Sequence, residues 1–343
     1  EDLIINVRNG GIYYWDKSTS SAPFAPAVAL SDLAGADPTT PTIAKQVMIS
    51  DRDRHVIVFG CDAQDNIGVQ DPLLIRFSDQ ENPLVWSAQA TNTAGDLRIG
   101  TGSEIITAVE TRQQILVFTD KSLHAMQYLG PPFTFGISML SENITIASPL
   151  AAIAVDDMVM WMGEQEFYLY TGQVQKLPCS VRSYVFNDFN QDQAEKVTAA
   201  VNSSYSEIWW FYPSATVTNG LMNQNIDKYV VYNYQEKVWY YGNLARSAWI
   251  DRGIGQYPIA ASLDGYLYYH EFGNDDGSVN PPAGITSYIE SSQMSLGAGD
   301  NFVLLSKLIP DVTFDGSSSP SPNVDFTFQT RRFPGSAYDQ TTV

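Results

Sequence analysis

The segment Met158–Tyr170, MVMWMGEQEFYLY, contains the pattern that decides the fold. It opens with a run of apolar and aromatic residues, passes through the polar turn Gly163–Glu166, and closes with the aromatic run Phe167–Tyr170. Aromatic and β-branched residues suit a pleated, half-buried surface, and two such runs separated by a short polar turn indicate a β-hairpin. The segment therefore predicts two antiparallel strands.

The same pattern recurs along much of the chain. Further hairpins are predicted from His55–Gly60 with Leu73–Phe77, Gln114–Phe118 with Leu123–Tyr128, Ser206–Tyr212 with Lys228–Tyr234, and Pro258–Ser262 with Tyr266–His270. Successive hairpins follow at intervals of ~40 to 50 residues, the period of propeller blades built from small four-stranded sheets. We predict an all-β fold: a β-propeller of short antiparallel blades, with a further β segment at the C-terminal end.

Helical periodicity is poor almost everywhere. The best helix candidate is Asn190–Val197, which is short and polar, and we expect it to cross between two blades.

A change of composition at Gly273 predicts the domain organisation. We assign residues 1–272 to the propeller, 273–300 to a loop or linker, and 301–343 to a last blade or to the start of a second β module. The chain reads into a strand from its first residues and has no initiating Met. We therefore expect a fragment or a processed product, with the propeller incomplete at its N-terminus and the last module truncated.

The composition and net charge indicate which partners the surface repels. The 343 residues include 12% aromatic side chains, and the formal net charge is −19 with a pI near 4.3. Such a surface repels phosphates and anionic membranes, which argues against ordinary affinity for nucleic acid. An acidic wall does let a polyanion slide past without sticking, which would suit a channel. No apolar run approaches the ~20 residues of a membrane-spanning helix.

Catalytic chemistry has few candidates in this sequence. His55, His124 and His270 each lie inside an aromatic strand, where a structural role is expected. The paired carboxylates are Asp156–Asp157, Glu164 with Glu166, and Asp275–Asp276. We expect them to be solvated turn residues. A glycosidase would need one acid and one base or nucleophile flanking a sugar, so a carbohydrate-binding or glycoside-cleaving propeller is the alternative reading.

Cofactor and metal motifs are incomplete. The loop Gly100–Glu104 lacks the lysine of a phosphate-binding loop, and Asn274–Gly277 lacks the spaced ligands of a calcium loop. Cys61 and Cys179 lie outside metal-ligand spacing, and we predict buried, reduced thiols. We predict no catalytic residue, no metal site and no cofactor, and hence a protein that is not an enzyme.

Several segments carry a resemblance to a known family. They are Glu1–Ile4 with Gly10–Asp16, Arg76–Pro83 with Trp86, Gly130–Gly136, Trp161–Gly163 through Tyr168–Gly172, and Val231–Tyr234 with Trp239–Gly242. These segments resemble the tail proteins of short-tailed bacteriophages (podophages) called nozzle, tail tubular B or packaged-DNA stabilisation hub proteins. The resemblance spans roughly residues 1 to 272 and rests on hairpins and turns, with no catalytic fingerprint.

The resemblance implies a structural virion protein. Such subunits self-associate into a ring, expected to be a hexamer, below the head-to-tail adaptor protein. The ring extends the DNA conduit and helps to retain and release the genome, with DNA passing through the lumen without specific binding. Tail fibres or tailspikes are further expected partners, and the expected location is the virion tail, assembled in the host cytoplasm. No individual site residue is carried over, because the family works through surfaces.

Overall fold

The computed structural model describes residues 2–17, 26–276, 281, 283–285, 287–291, 304–315, 321–333 and 335–342. They fall into two units, Glu1–Phe272 and Gly273–Val343.

The described residues of the first unit form six antiparallel sheets of three or four strands in chain order, with a separate two-stranded ribbon inserted within the second and within the fifth. Sheet 1 contains β1 (Leu3–Asn6), β2 (Ile12–Trp15) and β3 (Val28–Ala29). Sheet 2 begins with β4 (Gln46–Ile49) and β5 (Val56–Phe59), passes through the ribbon β6 (Asp62–Ala63) and β7 (Asn66–Gln70), and ends with β8 (Leu74–Phe77) and β9 (Gly95–Arg98). Sheet 3 contains β10 (Ile105–Glu110), β11 (Ile115–Thr119), β12 (Ser122–Gly130) and β13 (Thr134–Glu142).

The remaining three sheets follow the same plan. Sheet 4 contains β14 (Ala152–Val155), β15 (Met158–Met162), β16 (Phe167–Tyr170) and β17 (Val174–Leu177). Sheet 5 contains β18 (Thr198–Asn202), β19 (Glu207–Tyr212), β22 (Lys228–Asn233) and β23 (Val238–Asn243). The ribbon of β20 (Val217–Thr218) and β21 (Leu221–Met222) lies between β19 and β22 in the chain. Sheet 6 contains β24 (Ala248–Ile250), β25 (Ile259–Ala261) and β26 (Leu267–Tyr269).

The six sheets are the blades of a β-propeller, so the predicted fold class is confirmed. The first strands of successive blades lie side by side. The Gln46 side chain on β4 donates to the Ala108 carbonyl on β10 at 2.8 Å. Leu150 and Thr198 form a parallel bridge at the start of β14 and β18. Trp249 on β24 donates its indole N–H to the Val201 carbonyl on β18 at 2.9 Å.

The core lies between blades because each strand sends alternate side chains to opposite faces. On β8, Leu74 belongs to the cluster that includes Ile12, whereas Ile75 and Phe77 belong to the cluster that includes Phe135. The largest cluster joins blades 3, 4 and 5 around Trp161. Burial of these apolar faces is the main favourable contribution to folding.

The connection between blades 4 and 5 is helical. The candidate Asn190–Val197 forms a 3₁₀ helix over Gln191–Lys196, and the Asn190 side chain accepts the Asp192 N–H as its N-cap. An α-helix over Arg182–Asp188 precedes it, which the sequence did not predict. Its residues, RSYVFND, include β-branched and aromatic types that favour strands, so tertiary packing of Val185 overrides local preference. One more 3₁₀ helix, Leu30–Asp32, joins blades 1 and 2.

The described residues of the second unit form two strand pairs. β27 (Asp275–Asp276) pairs with β28 (Ala283–Gly284), and β29 (Thr327–Thr330) pairs with β30 (Asp339–Thr342). Parts of the predicted linker 273–300, and Phe302–Val303 of a predicted strand, lie outside the described residues. Among the described residues, no helix is long and apolar enough to cross a membrane.

Candidate functional site

Four charged side chains gather at the end of the propeller where the first strands of blades 2, 3 and 5 begin, an end that also carries the β1–β2 turn of blade 1. Arg8 lies in the β1–β2 turn, Lys45 immediately precedes β4, and Glu104 immediately precedes β10. Glu195 lies in the helical crossing that leads to β18. We call these four residues the charged mouth.

The geometry of the charged mouth links blades that are distant in sequence. The Lys45 ammonium, whose side chain is only 5% exposed, donates to the Glu104 carboxylate. Desolvation lowers the pKa of Arg8, while the carboxylates of Glu104 and Glu195 favour its charged form. Arg8 therefore lies within electrostatic reach of residues from blade 3 and from the entrance to blade 5.

Local backbone structure fixes Lys45. Its N–H donates to the carbonyls of Phe59 at 2.9 Å and Gly60 at 3.2 Å. Gly60 has φ +59°, and a Cβ there would lie 2.9 Å from the Lys45 Cγ. Glycine is required by both the conformation and the close approach. The Asn6 side chain then ties blade 1 to this point, because it donates to the Lys45 carbonyl at 3.2 Å and accepts the Val47 N–H at 3.1 Å.

The charged mouth carries two positive and two negative groups, so its formal charge is balanced, whereas the whole chain carries −19. Opposed charges at short range stabilise each other and attract neither a polyanion nor a polycation strongly. The arrangement can hold the blades together and can present a neutral opening.

The opposite end of the propeller carries the turns that follow the first strands of blades 2, 3 and 4. The Asp51 N–H donates to the Glu110 carboxylate at 3.1 Å, which links blades 2 and 3. Arg112 pairs with Asp156 at 3.0 Å, which links blades 3 and 4. Burial raises the pKa of Glu110. The hydrogen bond from the Asp51 N–H acts in the opposite direction, and the negative charges of Asp51 and Asp53 add to the increase.

The predicted carboxylate pairs do not come together. Asp156–Asp157 lies in the turn after the first strand of blade 4, whereas Glu164 and Glu166 lie in the next turn, at the other end of β15. Glu166 is engaged by Arg182 at 2.9 Å and Lys176 at 3.3 Å. Asp275–Asp276 belongs to the second unit as β27. Opposite ends of one strand do not supply the facing acid and base of a glycosidase.

Each of the three histidines is partly or fully buried. The His55 ring shares a hydrogen bond with the Thr93 hydroxyl at 3.1 Å. The Nε2 atom of His124 is within hydrogen-bond distance of the Ser122 hydroxyl, at 2.9 Å, and of the Thr101 hydroxyl, at 3.2 Å. Both His124 and Ser122 are buried. Burial lowers the pKa of His55 and of His124. The Ser122–His124 contact resembles a nucleophile and base, but the Ser122 hydroxyl is also hydrogen-bonded to the Thr119 hydroxyl at 2.7 Å, so it belongs to a buried hydrogen-bond network of blade 3.

His270 occupies a different environment, in the sixth blade. It accepts from the Arg246 side chain at 2.9 Å and packs 4.6 Å from the Trp249 ring centroid. Burial, reinforced by the positive charge of Arg246, lowers the pKa of His270 to about 4. The ring is therefore neutral at pH 7.

The motifs with incomplete cofactor patterns have internal partners. In the loop Gly100–Glu104, the Ser103 N–H and hydroxyl both donate to Asp120, so a carboxylate of the chain itself occupies these donors. Cys61 is buried and Cys179 is half-buried, and both are free thiols. Of Asn274–Gly277, the final glycine lies outside the described residues. Within the described part of the chain, no three His, Cys, Asp or Glu side chains gather where they could hold a metal ion.

Two arrangements were not predicted from the sequence. Glu207 accepts hydrogen bonds from the Trp209 indole and the Tyr240 hydroxyl between blades 5 and 6. The Trp209 ring packs against Tyr229 and Trp249, with centroids 4.7 and 5.8 Å away, so these rings form a packing cluster.

The second arrangement is a cavity beside Arg76. Its only sequence signal is an arginine inside the apolar run LLIRF.

Comparisons with known proteins yield likenesses of structure alone. No family model matches the chain, and no curated protein matches it. Hsv2 from Kluyvelomyces marxianus shares 8% identity at a TM-score of 0.43, over 78% of this chain and 71% of that one. The extracellular domain of the putative one-component system BT4673 from B. thetaiotaomicron shares 10% identity at 0.45, over 82% of this chain and 31% of that one. A functionally unknown protein from Desulfotomaculum acetoxidans shares 7% identity at 0.41, over 79% and 82%. Identities and scores of this size assign no function.

Proposed function

We propose that the chain is a non-catalytic, ring-forming subunit of a short phage tail, as the resemblance of its hairpin segments implies. The ring extends the DNA conduit below the head-to-tail adaptor and helps to retain and release the genome. The observation that carries the proposal is the open edge of blade 6.

Blade 6 has three strands among the described residues, with β26 at one edge of the sheet order β24-β25-β26. Leu267 and Tyr269 on this strand are 73% and 64% exposed. Tyr266 and Phe272, which flank it, are 67% and 64% exposed. We call these four residues the open edge.

A strand edge with unpaired backbone groups and apolar side chains is a template for pairing with another chain. Addition of a strand supplies main-chain hydrogen bonds, and burial of alternate side chains supplies affinity. The occupant proposed here is a second copy of the subunit. If the strand that adds to the open edge belongs to a different surface of the second copy, repetition of this contact around an axis generates a closed ring.

The charge of the chain supports the passage of DNA through such a ring. A net charge of −19 repels the phosphate backbone from most of the surface. The balanced charged mouth adds no cationic patch that would retain DNA. DNA in a conduit made of these subunits would slide without specific binding.

The test is the mass of the purified chain in solution, measured by light scattering alone and with adaptor rings. The expected result is assemblies of about six subunits, or binding to the adaptor ring. The double variant L267K/Y269K should remain monomeric, because charges at both positions oppose strand addition. The matched control Tyr205→Lys alters another exposed aromatic, 54% exposed and in the β18–β19 turn, and should assemble normally.

A wild-type chain that stays monomeric in both settings would overturn the proposal. Attention would then move to the carbohydrate-active alternative and to glycan screening. Assembly that L267K/Y269K leaves intact would retain the ring and reject the open edge as its contact.

A further inference from the structure

A cavity of about 310 Å³ lies against the outer part of blade 2. Its lining includes Leu74 and Arg76 from β8, Asp96 from β9, Asp65 from the β6–β7 turn, and Thr39 from the loop that precedes blade 2. The volume suits a small organic molecule. The charged mouth and the open edge contribute no residue to it.

Arg76 forms the floor of this cavity and is 1% exposed. Its guanidinium donates to the Thr39 carbonyl at 2.6 Å and to the Asp62 carbonyl at 3.2 Å, and it lies 5.9 Å from the Trp86 ring centroid. A guanidinium has five N–H donors, so these two bonds leave donors unused. No carboxylate of the described residues lies within ion-pair distance of it.

Three carboxylates act electrostatically on Arg76, those of Asp62, Asp96 and Asp37, and each is engaged elsewhere or faces the cavity. Asp62 is buried and accepts from the Thr42 N–H and hydroxyl and from the Gly68 N–H. Asp37 accepts from Thr39 and from the Ser87 N–H. Asp96 is the direct cross-strand neighbour of Arg76 and is exposed.

Asp65 and Asp96 therefore give the cavity an anionic rim above a cationic floor. Neither forms an ion pair within the described residues. A simple anion would meet Arg76 but be repelled at the rim, and a simple cation would be held at the rim but repelled at the floor. A molecule with both charges satisfies both ends.

We propose that this cavity binds a small zwitterion of the free amino-acid type, with its carboxylate on Arg76 and its ammonium group on Asp65 and Asp96. The carboxylate would use the fork of the guanidinium that the two backbone oxygens leave open. The buried wall formed by Leu74 would accept a small apolar side chain.

Three probes of similar size separate the charge requirements: L-alanine, propionate and ethylammonium. Binding to the full chain is followed by ligand-observed NMR titration. The expected result is saturable binding of L-alanine, with propionate and ethylammonium each weaker by about ten-fold or more, because each loses one charge-assisted contact.

The decisive variant alters the rim, because Arg76 also ties two loops together and its replacement endangers folding. In D65N/D96N the floor is unchanged and the repulsion at the rim is gone. Propionate should therefore bind at least as well as L-alanine. The matched control Asp157→Asn, an exposed carboxylate in the β14–β15 turn, should keep the wild-type order.

Two results would overturn the proposal. One is the absence of saturable L-alanine binding to the wild-type chain, which would leave Arg76 as a clamp between loops. The other is a preference for L-alanine that D65N/D96N retains in full.

Discussion

Blades 4 and 6 begin from similar sequences and end in opposite environments. The third strand of blade 4, FYLY at Phe167–Tyr170, is buried at three of its four positions. The third strand of blade 6, LYY at Leu267–Tyr269, is exposed at both ends and half-buried at its centre. In β24–β26 the only buried hydrophobic side chain is Ala260.

The difference shows that the burial of a strand depends on how its blade packs against neighbouring blades. Blade 4 shares a single cluster with blades 3 and 5, so both of its faces pack. Blade 6 joins only the small cluster that contains Phe211, through Trp249. Composition makes both strands able to pair, but a neighbouring blade is needed to bury their side chains.

The largest expected effect comes from removing one tryptophan from each region. Trp161 in blade 4 is fully buried, packs 5.1 Å from Phe118 and donates to the Thr145 carbonyl at 3.2 Å. We expect Trp161→Ala to lower the free energy of unfolding by about 3 to 5 kcal/mol. Trp249→Ala should cost less, about 1 to 3 kcal/mol, because that ring is half-buried. Urea denaturation followed by far-ultraviolet circular dichroism measures both, and equal costs would contradict the comparison.

An intermediate effect is expected from pH, through blade 6. The pKa of His270 is lowered from 6.5 to about 4, so the unfolded chain binds its proton at a higher pH than the folded chain does. The stability from the neutral ring is fully present above pH 6.5 and is lost as pH falls towards 4. The loss from this group is up to about 3 kcal/mol.

Comparison with His270→Gln isolates this contribution, because His55 and His124 are unchanged in the variant. When the pH is lowered from 7 to 4.5, the urea midpoint should fall less in the variant than in the wild-type chain. A fall of the same size in both proteins would show that His270 does not make blade 6 acid-sensitive.

The smallest effect is expected where blade 4 meets blade 3 at the surface. Arg112 and Asp156 pair at 3.0 Å with side chains 68% and 70% exposed. Exposed pairs contribute little, so Arg112→Ala should change the free energy of unfolding by less than about 1 kcal/mol at low salt. Thermal unfolding at low and high salt tests this, and a loss comparable to that of Trp161→Ala would refute the view that buried cores dominate.

The sequence predicts the hairpins well because their signals are local. The turn at Gly163–Glu166 and the runs on either side of it correspond to β15 and β16. The helix Arg182–Asp188 could not be predicted in this way, since its side chains favour strands and packing from other blades decides its conformation.

The charged mouth was equally hidden from the sequence. Lys45, Glu104 and Glu195 are separated by whole blades, and only the arrangement of the blades around a common axis brings them to one end. Only a weak indication of the cavity was present in the sequence, which was the charged residue Arg76 within an otherwise apolar strand. The unused donors of Arg76 and the rim carboxylates become visible only when the loop containing Thr39 is placed beside it.

The meander order within each blade also has a kinetic meaning. In blades 3 and 4 every strand pairs with the strand next to it in the chain, so these sheets need only short loops to close. Contacts of low sequence separation form early, and domains emerge from the ribosome from the N-terminal end. A nascent chain of this protein could therefore complete one blade before the next is synthesised, and each finished blade would offer its successor a surface on which to fold.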